Sequence, residues 1–353
     1  MTKQHKAKQH TVPKTLLRGF VDTRSRLRLR RRDGTESLIS VNNASVRSDF
    51  YSYTGAAGTV VDDIEDWLSS DIEDPVTPVL IRARRGDSLN AAHNTALARF
   101  AASGLLRTAT TRDRLRQIGD HIGPVLVFHE YLVSRKVDPT TLSMAELDAA
   151  QAAATAVWER LGKPADPDQA NLRVFLREFD RLSTQLDDWT WSLRTAARAC
   201  LITADAPVAV LPSSDVGWHG LLPPGSPVFI PISSRQLLIG EPRAPLAGGE
   251  QLLPELASVV NARLAFEAYD ALFADPSAAW PDVPPLSPVR PTMPTPTVTW
   301  SRSDDSDDKT ASPSYPEIND PAIRRLVYDL GGSNNIGSES NNGPDSGQND
   351  PCG

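Results

Sequence analysis

A strand-and-turn pattern near the N-terminus constrains the fold of this chain more than any other feature. Over residues 24–30 arginine alternates with serine or leucine, a period of two that predicts a strand with one cationic face. The arginines of that face are Arg24, Arg26, Arg28 and Arg30. Asp33-Gly34 then provides the favoured chemistry of a tight turn, and "ESLISV" predicts the returning strand. The fold therefore has to accommodate an antiparallel hairpin near its beginning.

The charge of the chain is unevenly distributed. The net charge of the 353 residues is −7, yet residues 1–32 contain eleven lysines and arginines against a single acid, Asp22. The N-terminal end therefore attracts phosphates or carboxylates, while the remainder repels them.

Hydrophobic periodicity predicts a mainly helical middle followed by buried strands. Helices are predicted at 60–85, where Pro75 and Pro78 break or kink the helix, and at 88–106, 110–135, 143–162, 167–187 and 250–274. The apolar runs "ACLITADAPVAVL" and "PVFIPISSRQLLIG" predict strands. These patterns indicate an α+β fold, in which a helical majority packs on a small, largely antiparallel sheet. The sheet is expected to contain the hairpin and both of these strands.

The composition changes near residue 276. We predict a single α+β domain over residues 1–275 and a disordered tail rich in Pro, Ser, Asp and Asn over residues 276–353. Within the tail, an apolar stripe predicts a short helix at 321–330, which could dock on a protein partner or on the domain. No apolar run is long enough to cross a bilayer, so we expect a soluble cytoplasmic protein with no membrane partner.

Several short motifs occur in an order that resembles the uncharacterised bacterial family known as domain of unknown function 4238. The motifs are Gln9-His10-Thr11-Val12-Pro13, Leu17-Arg18-Gly19-Phe20, "RSDFY", Ile64-Glu65 with Ile72-Glu73, "RTATTR", "LITADAPV" and "PISSR". The likeness covers residues 8–274. Thr11, Ala206 and Ser234 depart from the aromatic, asparagine and proline usual in the family. The resemblance implies a grouping and carries no established activity.

Two residues stand out as catalytic candidates, each with a structural alternative. His10 would serve as a general acid or base, because imidazole titrates near neutral pH, or as a buried anchor where the chain enters the fold. Asp205 ends a predicted buried strand, where sheets often place functional side chains, but its carboxylate would equally accept N–H groups of a turn.

The anion-binding candidates lie close to His10 in sequence or are singled out by the resemblance. Lys8 and Gln9 give His10 a polar setting, while the resemblance selects Arg18, Arg107 and Arg235. If these arginines converge they would form an anion clamp, and otherwise salt bridges to the many acidic residues are the common alternative.

Two glutamates are the supporting carboxylates. Glu65 and Glu73 are eight residues apart, so their directions differ by roughly 80° on an ideal helix. They are therefore not a ready-made metal pair, and they would form a cluster with Asp205 only if the fold brings all three together. No zinc-binding or nucleotide-binding motif occurs in the sequence.

Two hypotheses follow from these residues. The first is a phosphodiesterase or nuclease with a pocket around His10, Arg18 and Asp205. In it Asp205, alone or with Glu65 and Glu73, orients the histidine or holds a divalent ion such as Mg²⁺ or Mn²⁺. The alternative is a non-enzymatic module that binds nucleic acid or an acidic protein through the arginine-rich hairpin. Convergence of His10, Asp205 and an arginine in one cleft would favour the enzyme.

Overall fold

The computed structural model describes most of the chain between Lys8 and Leu286. The described residues are 8–54, 59–135, 137, 141–162, 167–211, 222–223, 225–242, 251–286, 298–299 and 317–318. Helix accounts for 49% and strand for 20% of the described residues. Because the strands form small antiparallel sheets, the predicted α+β class with its helical majority is confirmed.

The elements follow one another along the chain in a helical middle flanked by strands. The strands are β1 Lys8–His10, β2 Arg26–Arg31, β3 Glu36–Ser40, β4 Val46–Ser48, β5 Tyr53–Thr54, β6 Val60–Val61, β7 Thr190–Thr195, β8 Thr203–Ala204, β9 Ala209–Val210, β10 Val228–Pro231, β11 Gln236–Glu241, β12 Ala271–Ala274, β13 Val298–Thr299 and β14 Glu317–Ile318. The helices are α1 Lys14–Leu17, α2 Asp63–Trp67, α3 Asp74–Arg84, α4 Asn94–Leu106, α5 Ala109–Arg135, α6 Met144–Val157, α7 Pro167–Asp187 and α8 Pro254–Glu267.

The N-terminal hairpin is confirmed. Strand β2 pairs with β3 in antiparallel register from Arg26 opposite Ser40 to Arg30 opposite Glu36. Leu27 and Leu29 are buried on one face, as the alternation predicts. Gly34 adopts φ +83°, a left-handed conformation that suits the turn because glycine lacks a Cβ.

Eight of the fourteen described strands form two four-stranded sheets, and the other six pair as β1-β4, β5-β6 and β13-β14. One four-stranded sheet has the order β3-β2-β12-β8 and the other the order β7-β11-β10-β9, and all pairs are antiparallel. The prediction that one sheet holds the hairpin and both later apolar runs is therefore wrong. The run at 203–210 contributes to both sheets, because the turn between Thr203–Ala204 and Ala209–Val210 carries the chain from one to the other.

The helical middle follows the predicted segments with two π-helical distortions, one at Leu68–Glu73 and one at Trp158–Gly162. The chain stays helical through Pro75 and Pro78, and the predicted break or kink takes the form of a π-helical stretch at Leu68–Glu73. Proline lacks an N–H and crowds the preceding turn, so a locally widened helix accommodates it. Helix α4 packs against α7 and is buried over most of its surface.

The predicted helix at 250–274 is too long. It ends at Glu267, and Ala271–Ala274 forms β12 between β2 and β8. All four residues of β12 are buried, so strand pairing and burial outweigh the helical propensity of "ALFA".

Packing continues beyond residue 275, where the sequence predicts the tail to begin. Val283 and Leu286 belong to the hydrophobic core, and the compact unit extends to Thr295. A second unit begins at Pro296, in which β13 pairs with β14. The predicted helix at 321–330 and nearly all of the predicted tail lie outside the described residues.

Helices long and apolar enough to cross a membrane are not found in the described part of the chain.

Candidate functional site

His10 closes the first strand and is half-buried. Strand β1 pairs with β4, which sets His10 opposite Val46, and the ring Nδ1 lies 3.1 Å from the carbonyl oxygen of Ala44. Because a carbonyl only accepts, Nδ1 carries the proton and Nε2 keeps a lone pair. No hydrogen-bond partner for Nε2 is found among the described residues. Burial, with a contribution from the charge of Lys14, lowers the pKa of His10, so the ring is neutral at pH 7.

Arg107 anchors the backbone on which His10 is carried. Its side chain is almost entirely buried, and it donates to the carbonyl oxygens of His10 (2.7 Å) and Thr11 (3.0 Å) and to Glu73 Oε1 (3.0 Å). The carboxylate balances its charge while the two carbonyls fix the chain direction after β1. The guanidinium of Arg107 is thus engaged by acceptors within the fold.

Gln9 faces the opposite side of the strand from His10 and is fully buried. Its Oε1 accepts from the backbone N–H of Tyr51 at 2.5 Å, and its Nε2 donates to Ser52 Oγ (2.9 Å) and Asp62 Oδ1 (3.3 Å). A neutral amide suits this position, because it offers an acceptor and two donors without a buried charge. Gln9 therefore connects β1 to the segment leading into α2.

The two glutamates lie near Arg107, and Asp205 does not join them. Glu73 pairs with Arg107, while Glu65 is close enough to act electrostatically on both Arg107 and Tyr51. The charged neighbours of Asp205 are instead on β4 and the turn before β12. The three carboxylates are not brought together as one cluster.

Asp205 holds the turn that precedes β12. Its two carboxylate oxygens accept from the backbone N–H groups of Tyr269 and Asp270, each at 2.7 Å. Arg47 pairs with Asp270 at 3.0 Å and lies near Asp205. The carboxylate thus accepts backbone N–H groups of a turn, which is the structural alternative stated from the sequence. The turn is the one at 269–270 and not the one that follows Asp205 itself.

Asp205 is expected to make stability depend on pH. Burial raises its pKa to about 6 despite the two backbone N–H groups, so the folded state holds this proton more tightly than the unfolded state. Protonated Asp205 therefore adds to the free energy of unfolding below about pH 4. This addition is lost as the pH rises through about 6, and the free energy of unfolding declines by about 3 kcal/mol. Urea unfolding from pH 4 to 7 should show this decline in the wild type and not in Asp205→Asn. Exposed Asp282→Asn is the control, and parallel curves for wild type and Asp205→Asn would refute the assignment.

The arginines selected by the resemblance do not form a single clamp. Arg107 is buried beneath His10, whereas Arg18 is exposed and its side chain has no hydrogen bond or ion pair to another described residue. Arg235 is exposed, and its Nε donates to the carbonyl oxygen of Ala196 at 3.1 Å. A clamp of all three is incompatible with this arrangement, because the guanidinium of Arg107 is already engaged by His10, Thr11 and Glu73.

Arg84 has a structural role that the sequence does not reveal. It donates to the carbonyl oxygens of Ile232 (2.8 Å), Thr15 (2.7 Å) and Leu16 (3.1 Å). Burial, together with the nearby charge of Arg18, lowers its pKa to about 10. It joins the end of α3 to α1 and to the turn after β10. A helical pattern gives no signal for this role, because the partners are distant backbone carbonyls.

Gly19 allows two of the sequence motifs to touch. A Cβ on Gly19 would lie 1.8 Å from the carbonyl oxygen of Ile232, a distance that only glycine tolerates. The N–H of Ser234 donates to the carbonyl oxygen of Gly19 at 3.3 Å. The motifs "LRGF" and "PISSR" therefore meet at the carbonyl oxygen of Ile232, which also accepts the hydrogen bond from Arg84.

The cationic face of the hairpin is partly neutralised. Arg28 and Arg30 both pair with Glu36, at 2.9 Å and 2.7 Å. Trp280 covers the same arginines, with its ring centroid 4.2 Å from the guanidinium carbon of Arg30 and 5.5 Å from that of Arg28. The segment after β12 thus occupies part of the surface predicted for nucleic acid.

The remaining arginines of this face lie at the start of the strand. Arg26 pairs with Asp22 at 2.9 Å, while Arg24 is exposed and only its backbone N–H bonds to Asp22. Of the four arginines predicted to contact nucleic acid, Arg24 is therefore the one whose side chain is most open to solvent.

The described residues contain no group of three or more His, Cys, Asp or Glu side chains placed to hold a metal ion. Near His10 the charged neighbours are Lys14, Glu73 and Arg107.

These features define an α+β protein whose N-terminal strand buries a glutamine, presents a half-buried histidine and is fixed by a buried arginine. The chain belongs to the family described as protein of unknown function DUF4238, whose model matches residues 8–278. The resemblance stated from the motifs is thereby confirmed. Comparison with curated proteins and with solved structures finds no match.

Proposed function

We propose that this protein is a cytoplasmic hydrolase that cleaves phosphodiesters of RNA or DNA, with His10 as the general base. The observation that carries the proposal is the state of the imidazole. Nδ1 is occupied by the carbonyl of Ala44, and Nε2 keeps a lone pair with no partner among the described residues. A neutral, oriented imidazole is the form that a general base requires.

The base would act on the attacking oxygen. Nε2 takes the proton of a water molecule or of a ribose 2′-hydroxyl as that oxygen attacks phosphorus, and the resulting imidazolium returns a proton to the leaving oxygen. The Ala44 carbonyl stabilises the imidazolium, since Nδ1–H donates more strongly when the ring is charged. Arg107 is a positioning residue, because it holds the carbonyl of His10.

Two lysines supply positive charge for a phosphate. Lys8 shares a strand face with His10, because side chains two residues apart point the same way, and it is exposed. Lys14 lies close enough to lower the pKa of His10. Sequence reasoning missed Lys14, although its position four residues after His10 and next to Pro13 was a signal. Arg18 and Arg235 are not needed in this arrangement.

The test uses one substitution that removes the base of His10 and keeps its hydrogen bond to Ala44. In His10→Asn the amide nitrogen takes the place of Nδ1 and keeps the bond to Ala44, while the base at Nε2 is lost. We expect a folded protein whose cleavage of labelled RNA or DNA falls about 100-fold or more. Activity of the wild type should rise with pH through a pKa below 6.5, because the base must be neutral.

Assays with Mg²⁺, with Mn²⁺ and with chelator cover both modes of phosphodiester cleavage. His129→Gln, an exposed histidine on α5, is the matched control and should leave cleavage unchanged. Equal cleavage by the wild type and by His10→Asn would overturn the role of His10. Salt-sensitive retention of nucleic acid without cleavage would instead favour the alternative, a binding module that uses the hairpin. Against that alternative, Glu36 bridges Arg28 and Arg30. Against the enzyme, Asp205 holds the turn at 269–270 and is not among the charged neighbours of His10.

A further inference from the structure

A concave surface lies between α2, α7 and strand β5. The cleft has a volume of about 480 Å³, within the range of small-molecule sites. Its lining residues are Tyr53, Asp63, Ile64, Trp67, Leu172, Arg173 and Leu176. None of these residues has a part in the proposed chemistry at His10.

One apolar wall of the cleft is formed by a tightly packed indole, and the other by a solvent-exposed leucine. The ring of Trp67 packs edge-on against Phe179 (4.8 Å between centroids, 85°) and Phe175 (6.2 Å, 81°), so the indole is held in place. Leu172 is buried behind it, whereas Leu176 is 42% exposed. A large exposed leucine beside a fixed indole is an apolar surface suited to a ligand's hydrocarbon part.

Two opposite charges line the same cleft. The carboxylate of Asp63 is exposed and is oriented by Tyr53, whose hydroxyl donates to Oδ2 at 2.9 Å. Arg173 is exposed as well, and no hydrogen bond or ion pair joins it to a described residue, Asp63 included. The cleft thus presents a cation and an anion that do not neutralise each other directly.

We propose that this cleft binds a small zwitterion with an apolar body, namely a free α-amino acid with an aromatic or branched aliphatic side chain. The carboxylate of the ligand faces the guanidinium of Arg173, whose two donors match it. Its ammonium group faces Asp63, and its side chain lies between Trp67 and Leu176. This site is independent of the proposed hydrolase activity.

Titration calorimetry on the full chain tests the charge requirement with four ligands. L-phenylalanine carries both charges and a ring, phenylacetate lacks the ammonium, 2-phenylethylamine lacks the carboxylate, and glycine lacks the side chain. We expect saturable binding of phenylalanine, at least fivefold weaker binding of phenylacetate and phenylethylamine, and none of glycine. Absence of saturable binding of phenylalanine, or equal affinity for all four, would overturn the proposal.

Variants then locate the binding. Arg173→Gln should weaken the binding of phenylalanine and phenylacetate at least fivefold and leave the binding of phenylethylamine unchanged. Asp63→Asn should weaken the binding of phenylalanine and phenylethylamine and leave the binding of phenylacetate unchanged. Leu176→Phe narrows the cleft at an exposed position and should abolish binding without unfolding the protein. Arg177→Gln, an arginine of α7 outside the lining, is the control. Phenylalanine binding unaffected by Arg173→Gln, Asp63→Asn and Leu176→Phe would exclude this cleft.

Discussion

Replacing Arg107 with alanine is expected to lower the free energy of unfolding by about 3–5 kcal/mol. The substitution removes the donor to two carbonyl oxygens, those of His10 and Thr11, and leaves Glu73 without the partner that balances its charge. Both carbonyls then lose a charge-assisted bond in a region where water does not replace it. Truncation to alanine also leaves a cavity where the buried guanidinium was, which lowers the free energy of unfolding further.

Urea unfolding followed by circular dichroism measures this loss. Arg116→Ala is the matched control, because Arg116 is a more exposed arginine on α5 whose pair with Asp113 is worth about 1 kcal/mol at most. Arg107→Lys should fall between wild type and alanine, since one ammonium group cannot reach three acceptors as a planar guanidinium does. A loss below about 1 kcal/mol for Arg107→Ala would contradict the view that this residue fixes the first strand.

Gly19→Ala is expected to destabilise the protein by about 3 kcal/mol or more, which is at the upper end for overpacking. The new methyl carbon would lie 1.8 Å from the oxygen and 2.8 Å from the carbon of the Ile232 carbonyl. Both are backbone atoms, so no rotamer change relieves the contact. Moving that carbonyl also disturbs its bond from Arg84.

Thermal unfolding of Gly19→Ala beside Gly119→Ala separates this contact from the general effect of adding a methyl group. Gly119 lies within α5 with open space where a Cβ would stand, so alanine there should stabilise the helix by about 0.5–1 kcal/mol. If both variants melt like the wild type, the close approach between "LRGF" and "PISSR" is not required for the fold.

Features that depend on neighbouring residues were predictable from the sequence. The hairpin follows from alternating leucines and from Asp33-Gly34, and its two strands pair across a short turn. The helical middle follows from apolar spacing within each segment. The place of His10 at the entry to the fold was also accessible, because Pro13 restricts the residue before it.

The roles of the buried polar residues were not predictable, because their partners are remote in sequence. Arg107 and an anion-binding arginine look alike as residue types. They are distinguished by remote partners such as the carbonyl of Thr11, 96 residues away. Asp205 likewise depends on N–H groups 64 and 65 residues later. Strand β12 was predicted as helix, because its sequence favours helix. Its pairing with β2 depends on tertiary contacts that the local sequence does not show.

The position of β12 has a consequence for the order in which the parts of its sheet are completed during synthesis. This strand lies between β2 and β8, and Arg32 at the end of the hairpin bonds to a carbonyl 237 residues later. A growing chain emerges from its N-terminus, so the hairpin leaves the ribosome long before its inner neighbour exists. Until residue 274 is synthesised, the inner edge of β2 has unpaired N–H and C=O groups, which is the state in which strands associate wrongly. The hairpin is therefore made well before β12 and is among the last parts of this sheet to acquire its final surroundings.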